Sequence, residues 1–366
     1  MKLLGVKEKA DHFELNLSGT ISRFHYLWLR DNCPNCRSSN GQKLHETNRL
    51  DPRVRPKSVS STDHELIVRW NDGVKSVFSV AYLLKYDYDT PMERCSRAQL
   101  WTRTTLGRVR RHDYDAVTSD AGARTAWLAD VAVYGFSLLR NVPAIEEKLF
   151  DVVALFGFVR VTNYGTLFDV RTEENASNLA FTPQPLSLHT DNPYRDPCPS
   201  LQLLHCLQQA DEGGLTALSD GFYAARKLQK VAPDAFALLS ECETPFYYES
   251  TTASLHSTQK MIGVTSNGDV EKIHINNRSM APLSLPFDTT AAFYDALFKF
   301  RHILESEESQ YTFALESGDL LLLDNERVLH GRVGHSVGMR HLQGCYADRD
   351  GLLSTLRLLE AEAVRL

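Results

Sequence analysis

Two short runs, far apart in the chain, carry side chains that can bind a metal ion. His189-Thr190-Asp191 places an imidazole and a carboxylate two residues apart, so both point the same way if the segment is extended. Far downstream, the apolar run 320–323 precedes His330, as expected for a buried strand that delivers a third ligand. Two histidines and one carboxylate on one face leave three open positions on an octahedral ferrous ion. The pattern predicts an iron site made by His189, Asp191 and His330.

An arginine that could bind a carboxylate follows the distal histidine along the chain. Arg340 lies ten residues after His330, on a short apolar segment that suits an adjacent strand. The open positions on the iron can take a bidentate 2-oxo acid and dioxygen, and an arginine can pair bidentately with the far carboxylate of 2-oxoglutarate. The combination of an H-x-D motif, a long interval, a histidine and then an arginine indicates such a site more specifically than any one of these features alone. The alternative interpretation is a structural histidine and two unrelated ion pairs.

The elements that must position these residues are mostly short strands. Residues 1–95 predict a small β-rich domain, and the chain turns irregular and charged between residues 87 and 114, so residues 96–366 form the second domain. There, apolar spacing predicts a helix over 289–305, and Asp220 can cap a helix that ends near residue 231. Asn267-Gly268 predicts a hairpin turn. Many short strands with few βαβ alternations favour a barrel or sandwich with added helices.

Composition excludes several classes of protein. The 366 residues include 40 Lys plus Arg and 46 Asp plus Glu, for a net charge of −6, with 43% hydrophobic and 23% charged residues. This is a usual globular mixture, and its acidity argues against a nucleic-acid or membrane partner. No apolar run approaches the length of a spanning helix, and we see no signal peptide. Seven dispersed cysteines suit a reducing cytoplasm.

Several motifs, taken together, resemble the γ-butyrobetaine dioxygenase family. The resemblance covers nearly the whole chain, including the small N-terminal domain. The runs that carry it are Leu27-Trp28-Leu29-Arg30-Asp31-Asn32-Cys33, His189-Thr190-Asp191, Leu201-Gln202-Leu203-Leu204-His205-Cys206, Gly213-Gly214, Ser219-Asp220-Gly221, Leu329-His330-Gly331-Arg332 and Arg340-His341-Leu342-Gln343-Gly344-Cys345-Tyr346-Ala347-Asp348.

The resemblance implies a fold, a reaction and two cofactor sites. The family's enzymes are iron(II)- and 2-oxoglutarate-dependent oxygenases that hydroxylate trimethylammonium substrates. The implied fold class is α+β, mainly β, with a double-stranded β-helix (jelly-roll) catalytic domain, added helices and the small N-terminal domain. Carried over by position, His189, Asp191 and His330 bind iron, while Thr216 and Arg340 hold 2-oxoglutarate.

The resemblance also implies where the two ends of the substrate lie. A quaternary ammonium has no hydrogen-bond donors, so aromatic faces are its natural receptors. The positions that match the family's cage are Tyr164, Phe168, Phe181 and Tyr346, with Tyr194 close to the iron pair. Any of these can instead be an ordinary core residue.

The anionic end of the substrate matches an Asn pair, Asn276-Asn277, which continues with Arg278. A guanidinium beside two amides suits a tetrahedral, more highly charged anion, and Asn192 adds a further donor. Together these residues resemble the branch that hydroxylates 2-(trimethylamino)ethylphosphonate, a reaction of organophosphonate catabolism. The alternative is that Arg278 makes a surface ion pair and the substrate is γ-butyrobetaine.

The N-terminal domain departs from the family at a metal site. The family usually holds zinc there with three cysteines and a histidine, whereas this chain has Cys33 and Cys36, with His45 nearby in the loop as a substitute ligand. Zinc needs four donors and only three are available, so retention and loss of Zn(II) are both open.

Two readings of a different class remain. Gly334-His335-Ser336-Val337-Gly338 matches the G-x-S-x-G elbow of a serine hydrolase, but that elbow needs a strand before it and a helix after it. A non-catalytic binding module on the same fold is the other, although the intact ligand set argues against it. We expect a cytoplasmic homodimeric enzyme that acts on a small molecule.

Overall fold

In the computed structural model, the described residues are 1–90, 97–171 and 184–363, and they divide into two compact units, Met1–Ser96 and Arg97–Leu366. The division falls one residue from the predicted boundary. No helix among the described residues has the length and apolar character that crossing a bilayer requires.

The first unit consists of two three-stranded antiparallel sheets, each followed by a short helix. Strands β2 and β5 alternate buried and exposed residues, so each sheet turns one face to a common core that contains Phe13, Trp70 and Phe78. The elements are β1 (Leu3–Glu8), β2 (His12–Leu17), β3 (Thr20–His25), α1 (Tyr26–Asp31), β4 (Pro56–Ser61), β5 (Glu65–Trp70), β6 (Lys75–Ser79) and α2 (Val80–Lys85).

The second unit is a sandwich of two sheets with helices packed outside it. Its elements are α3 (Arg103–Leu106), β7 (Arg111–Asp113), α4 (Tyr114–Ser119), α5 (Ala121–Tyr134), β8 (Phe136–Arg140), α6 (Leu149–Ala154), β9 (Val159–Arg160), β10 (Phe168–Arg171), β11 (Leu186–His189), β12 (Leu201–Gln208), β13 (Leu215–Asp220), α7 (Gly221–Val231), α8 (Pro233–Glu241), β14 (Glu243–Glu249), β15 (Ser254–Lys260), β16 (Ile262–Val264), β17 (Val270–Ile273), α9 (Phe287–Leu304), β18 (Tyr311–Phe313), β19 (Leu320–Asp324), β20 (Val328–Val333), β21 (His341–Ala347) and α10 (Arg349–Ala363).

The strand order is that of the predicted double-stranded β-helix. One sheet runs β10-β21-β12-β19-β8-β7, with β9 beside β21, and the other runs β11-β20-β13-β18. Chain neighbours such as β19 and β20 lie in different sheets, so the chain passes repeatedly from one sheet to the other. The two sheets therefore face each other, and side chains from both can converge between them.

The leucine run 320–323 shows how the sheet is buried. Leu320 and Leu322 pack into a core with α5, α6 and α10, whereas Leu321 and Leu323 pack on the side that faces the second sheet. A strand covered on both faces is apolar at every position, which explains the run.

The sequence-predicted helices and hairpin are present with shifted ends. Asp220 caps α7, since its Oδ1 accepts the N–H of Phe222 at 3.0 Å. The hairpin forms between β16 and β17, and its loop spans residues 265–269, longer than the two-residue turn that Asn267-Gly268 predicts.

A buried histidine in the sheet core makes stability depend on pH. His205 on β12 is fully buried, neither ring nitrogen makes a hydrogen bond to any described residue, and burial lowers its pKa below the ordinary 6.5. Below pH 6.5 the unfolded chain binds a proton more readily than the folded chain does, so the free energy of unfolding falls as pH falls.

His205→Leu should therefore lose less stability than the wild type between pH 7.5 and 5.5, as measured by urea unfolding at both values. The matched control is His302→Leu, which removes an exposed histidine of α9 and should leave the pH dependence unchanged. Equal curves for wild type and His205→Leu would contradict the prediction.

Candidate active site

The three predicted iron ligands come together between the two sheets. His189 at the end of β11 and His330 on β20 are direct partners in the antiparallel register, with ring centroids 4.4 Å apart. A Cβ at Gly331 would lie 2.5 Å from the carbonyl oxygen of Leu186, so glycine is needed for β11 to approach β20 this closely. Among the described residues, His189, Asp191 and His330 are the one group of three metal-capable side chains whose ligand atoms all lie within 4.8 Å of each other.

The geometry of these side chains suits a cation at their centre. His189 Nδ1 lies 2.8 Å from the carbonyl oxygen of Ser187, which requires a proton on Nδ1 and leaves the lone pair on Nε2. That Nε2 faces Asp191 Oδ1 at 3.3 Å, and His330 Nε2 faces Asp191 Oδ2 at 3.9 Å. A lone pair and a carboxylate oxygen repel each other unless a proton or a cation lies between them. The donor set therefore fits a metal ion.

The charge states of the ligands agree with this assignment. Burial, together with the nearby charge of His189, lowers the pKa of His330 to about 3. Burial raises the pKa of Asp191, but the closeness of His189 and His330 outweighs that effect and brings the pKa below its ordinary value. Two neutral imidazoles and one carboxylate are a ligand set for ferrous iron.

The backbone around Asp191 is held by Asn325, which sequence analysis did not single out. This side chain is fully buried, and its Oδ1 accepts the N–H of Asp191 at 2.7 Å. Its Nδ2 donates to the carbonyl oxygens of Asp191 at 2.9 Å and Pro199 at 2.8 Å. The turn between β19 and β20 thus orients the segment after β11.

A cavity of about 510 Å³ opens beside the three ligands, and Thr216 and Arg340 line it. Thr216 pairs with Arg332, which lies two residues beyond His330 on β20, about 6.5 Å along the strand. Burial and the charge of Arg340 lower the pKa of Arg332 to about 10, so the two guanidinium groups are neighbours. The two predicted cosubstrate residues therefore lie at one end of the cavity.

Arg340 lacks a counter-ion from the described part of the protein. None of the described carboxylates lies within 4 Å of its guanidinium, and burial lowers its pKa. A buried cation without an anion is costly. This end of the cavity suits a carboxylate of a ligand.

Aromatic rings form a connected group on the cavity wall. Ring centroids lie 5.2 Å apart for Phe168 and Tyr346, 6.1 Å for Tyr164 and Phe168, and 5.8 Å for Tyr164 and Tyr248. Tyr194 stacks on Tyr248 at 5.2 Å. Phe181 lies outside the described residues. Tyr247 and Tyr248 of β14 also line the cavity, and both were missed, because the sequence of β14 does not show that this strand borders the cavity.

The residues predicted to bind the anionic end of the substrate differ in whether they line the cavity. Asn192 lines the cavity, is 3% exposed, and its Nδ2 has no hydrogen-bond partner among the described residues. Arg278 also lines the cavity. Asn276 lines it, but its amide is engaged, donating to the Thr190 carbonyl at 3.0 Å and accepting the N–H of Arg278 at 3.2 Å. Asn277 is exposed and is not among the residues that line the cavity, so its contact with substrate stays a prediction.

The predicted zinc ligands do not come together. Cys33, Cys36 and His45 are absent from the metal-capable groups within 4.8 Å in residues 1–90. His45 Nε2 instead lies 3.2 Å from Asp31 Oδ1, and the same carboxylate accepts from Lys43 and Thr47. The described contact of the His45 ring is thus with Asp31, and a zinc site at Cys33, Cys36 and His45 stays a prediction.

The hydrolase alternative lacks its required structure. Ser336 lies in the loop between β20 and β21, and the next element is a strand. A nucleophile elbow would place a helix there. Ser336 is 4% exposed, buried beneath Gly214.

Comparisons with known proteins agree with this geometry. The family model "Taurine catabolism dioxygenase TauD, TfdA family" matches residues 100–346, and "Gamma-butyrobetaine hydroxylase-like, N-terminal" matches residues 5–84. γ-Butyrobetaine dioxygenase of Pseudomonas sp. (strain AK-1) is 33% identical, covering 93% of this chain and 92% of its own. Mitochondrial trimethyllysine dioxygenase of Mus musculus is 31% identical, covering 97% and 87%. Among solved structures, the non-heme iron oxygenase OrfP with Fe, succinate and (3S)-hydroxy-L-Arg has a TM-score of 0.48 at 14% identity, covering 66% and 94%.

The chain therefore belongs to the TauD, TfdA family of dioxygenases, within the group that contains γ-butyrobetaine dioxygenase. It is an iron- and 2-oxoglutarate-dependent dioxygenase.

Proposed function

We propose that this dioxygenase hydroxylates a trimethylammonium compound with an anionic end, 2-(trimethylamino)ethylphosphonate, at the carbon that bears phosphorus. His189, Asp191 and His330 hold the iron, and Thr216 and Arg340 hold 2-oxoglutarate. When bound, the iron supplies oxidation of an unactivated C–H bond by dioxygen, coupled to conversion of 2-oxoglutarate to succinate and CO2. The protein contributes binding and orientation of the substrate.

The aromatic group receives the cation. Tyr164, Phe168, Tyr248 and Tyr346 present ring faces to one region of the cavity, and ring faces attract a quaternary ammonium without needing a hydrogen bond. Burial raises the pKa of Tyr164 and of Tyr346, so their hydroxyls stay neutral at physiological pH.

The single observation that favours the phosphonate is the charge of Arg278 beside the iron site. Arg278 is exposed overall, yet partial desolvation lowers the pKa of its guanidinium, and the charge of Asp191 opposes that shift. The positive charge in turn lowers the pKa of His330, so Arg278 lies near the metal end of the cavity. No carboxylate of residues 1–90, 97–171 or 184–363 lies within 4 Å of it.

A phosphonate on the reacting carbon brings its charge close to the iron. In γ-butyrobetaine the carboxylate is one carbon further from the hydroxylated position, which matches this placement less well. The unpartnered Nδ2 of Asn192 adds a second donor on the same cavity wall. A tetrahedral anion with three oxygens can accept from both groups.

γ-Butyrobetaine is the second candidate. It is supported by the 33% identity to the γ-butyrobetaine dioxygenase of Pseudomonas sp., over nearly the whole of both chains.

Arg278→Ala should lower kcat/KM for the phosphonate by about 10- to 100-fold, since a hydrogen-bonded charge pair is worth about 1.5–3 kcal/mol. The measurement is kcat/KM for the phosphonate and for γ-butyrobetaine, from product and succinate formed. Wild type should prefer the phosphonate, and the variant should lose that preference.

Two variants serve as controls for Arg278→Ala. Arg278→Lys keeps the charge and should retain part of the preference, while Arg226→Ala removes an arginine paired with Asp269 and should change neither value. Preference of the wild type for γ-butyrobetaine, or for the trimethyllysine named for another relative, would overturn the phosphonate assignment. So would an unchanged ratio in Arg278→Ala.

A further inference from the structure

One oxygen of the Asp191 carboxylate is held by side chains from the opposite sheet. Asp191 follows β11, in the four-stranded sheet. Its Oδ2 accepts from Gln202 Nε2 at 2.6 Å and from the Tyr346 hydroxyl at 2.9 Å. Gln202 on β12 and Tyr346 on β21 are direct partners in the register of the larger sheet. The two donors therefore reach the same oxygen from adjacent strands.

We propose that Gln202 and Tyr346 are positioning residues that make Asp191 present a single oxygen, Oδ1, to the metal. Oδ1 lies 3.3 Å from His189 Nε2, whereas Oδ2, which is 3.9 Å from His330 Nε2, is already engaged by the two donors. A carboxylate whose two oxygens are both free can rotate to chelate a metal, which would take one of the positions the cosubstrates need. Chelation here would require Oδ2 to give up two charge-assisted hydrogen bonds. The inference rests on the iron-site assignment but not on the identity of the substrate.

The orientation of the Gln202 amide supports this role. Gln202 is 2% exposed, and its Oε1 has no hydrogen-bond partner among the described residues. An unpaired buried acceptor is costly because it has lost its hydrogen bonds to water. The reversed amide would place Oε1 against the carboxylate oxygen, acceptor against acceptor. The amide therefore keeps the orientation in which Nε2 donates to Asp191, although Oε1 then has no hydrogen bond to a described residue.

Both donors are also fixed in place. Strand β12 pairs with β19 on one side and β21 on the other, so the backbone of Gln202 cannot shift without breaking two ladders. Tyr346 pairs with Gln202 of β12 on one side and with Arg160 of β9 on the other, so its backbone is held as well. The hydrogen bonds from Gln202 and Tyr346 therefore let the larger sheet fix the position of the Asp191 carboxylate, although Asp191 follows a strand of the smaller sheet.

The test is the affinity of the metal-free protein for Mn(II), titrated by electron paramagnetic resonance without any substrate. Gln202→Leu and Tyr346→Phe should each bind Mn(II) about 10- to 100-fold more weakly than wild type. The double variant should lose less than the product of the two, because losing one donor already frees Oδ2. The visible spectrum of bound Co(II), which reports coordination number, should change in Gln202→Leu.

The matched control is Gln343→Leu. Gln343 is a buried amide of the same sheet, on β21, but it donates to Asp169 and accepts from Glu147, away from the metal ligands. The Gln343→Leu variant should bind Mn(II) with the affinity of the wild type. Its melting temperature is compared with that of the wild type to show that it is folded.

Three results would overturn the proposal: wild-type affinity in folded Gln202→Leu and Tyr346→Phe, an equal loss in Gln343→Leu, or an unchanged Co(II) spectrum. Absence of Mn(II) binding by the wild type would instead remove the iron-site assignment itself. If Gln202→Leu fails to fold, Tyr346→Phe, which removes only one oxygen atom, carries the test.

Discussion

Asp191→Ala should reduce substrate-dependent succinate formation to background, by a factor of about 1,000 or more, because the several kcal/mol that a metal contributes to the reaction are lost with it. Asp191 supplies the one negative charge of the three-ligand group, and its carboxylate oxygens lie 3.3 Å from His189 Nε2 and 3.9 Å from His330 Nε2. Mn(II) affinity should fall with activity.

The control for Asp191→Ala is Asp169→Ala. Asp169 on β10 is a partly buried carboxylate hydrogen-bonded to His341 at 2.6 Å, outside the three-ligand group. This variant should retain Mn(II) binding and most of the turnover. Succinate formation near the wild-type rate in Asp191→Ala would show that iron is held elsewhere or not used.

Arg340→Ala should raise the KM for 2-oxoglutarate by about 30- to 5,000-fold, as expected when one partner of a desolvated charge pair, worth about 2–5 kcal/mol, is removed. The guanidinium has no described carboxylate within 4 Å, and burial lowers its pKa, so a ligand carboxylate is the partner that its site can accept. Mn(II) binding should persist, since the metal ligands lie on other residues.

The Arg340→Lys variant distinguishes the effect of the positive charge on KM from the effect of the bidentate geometry. A lysine keeps the positive charge but cannot make the bidentate pair, so its KM should fall between those of the wild type and Arg340→Ala. An unchanged KM in Arg340→Ala would mean that another group, such as the neighbouring Arg332, holds the distal carboxylate. Loss of Mn(II) binding in the same variant would assign Arg340 a structural role instead.

The metal ligands could be predicted mainly from the spacing of residues within short runs of sequence. An imidazole and a carboxylate two residues apart point the same way on any extended segment, so His189 and Asp191 needed only local structure to converge. His330 was predicted because a buried apolar strand precedes it. The helix cap at Asp220 is equally local, since the side chain bonds a backbone N–H two residues on.

Two predicted site residues make contacts that local sequence patterns could not show. His45 lies within reach of Cys33 and Cys36 along the chain, yet its ring nitrogen faces Asp31. Asn277 follows Asn276 directly, but adjacent residues need not face the same surface, and only Asn276 lines the cavity.

The sequence by itself determined the residue types of the iron and cosubstrate sites and the family to which they belong, because those features reside in the order and spacing of side chains. Only the tertiary structure decided which distant groups meet. Gln202, Tyr346 and Asn325 reach Asp191 across 11, 155 and 134 residues, and Tyr248 faces the cavity through the pairing of β14. Such contacts depend on how two sheets stack and in which register their strands pair, and no spacing along a single run encodes either.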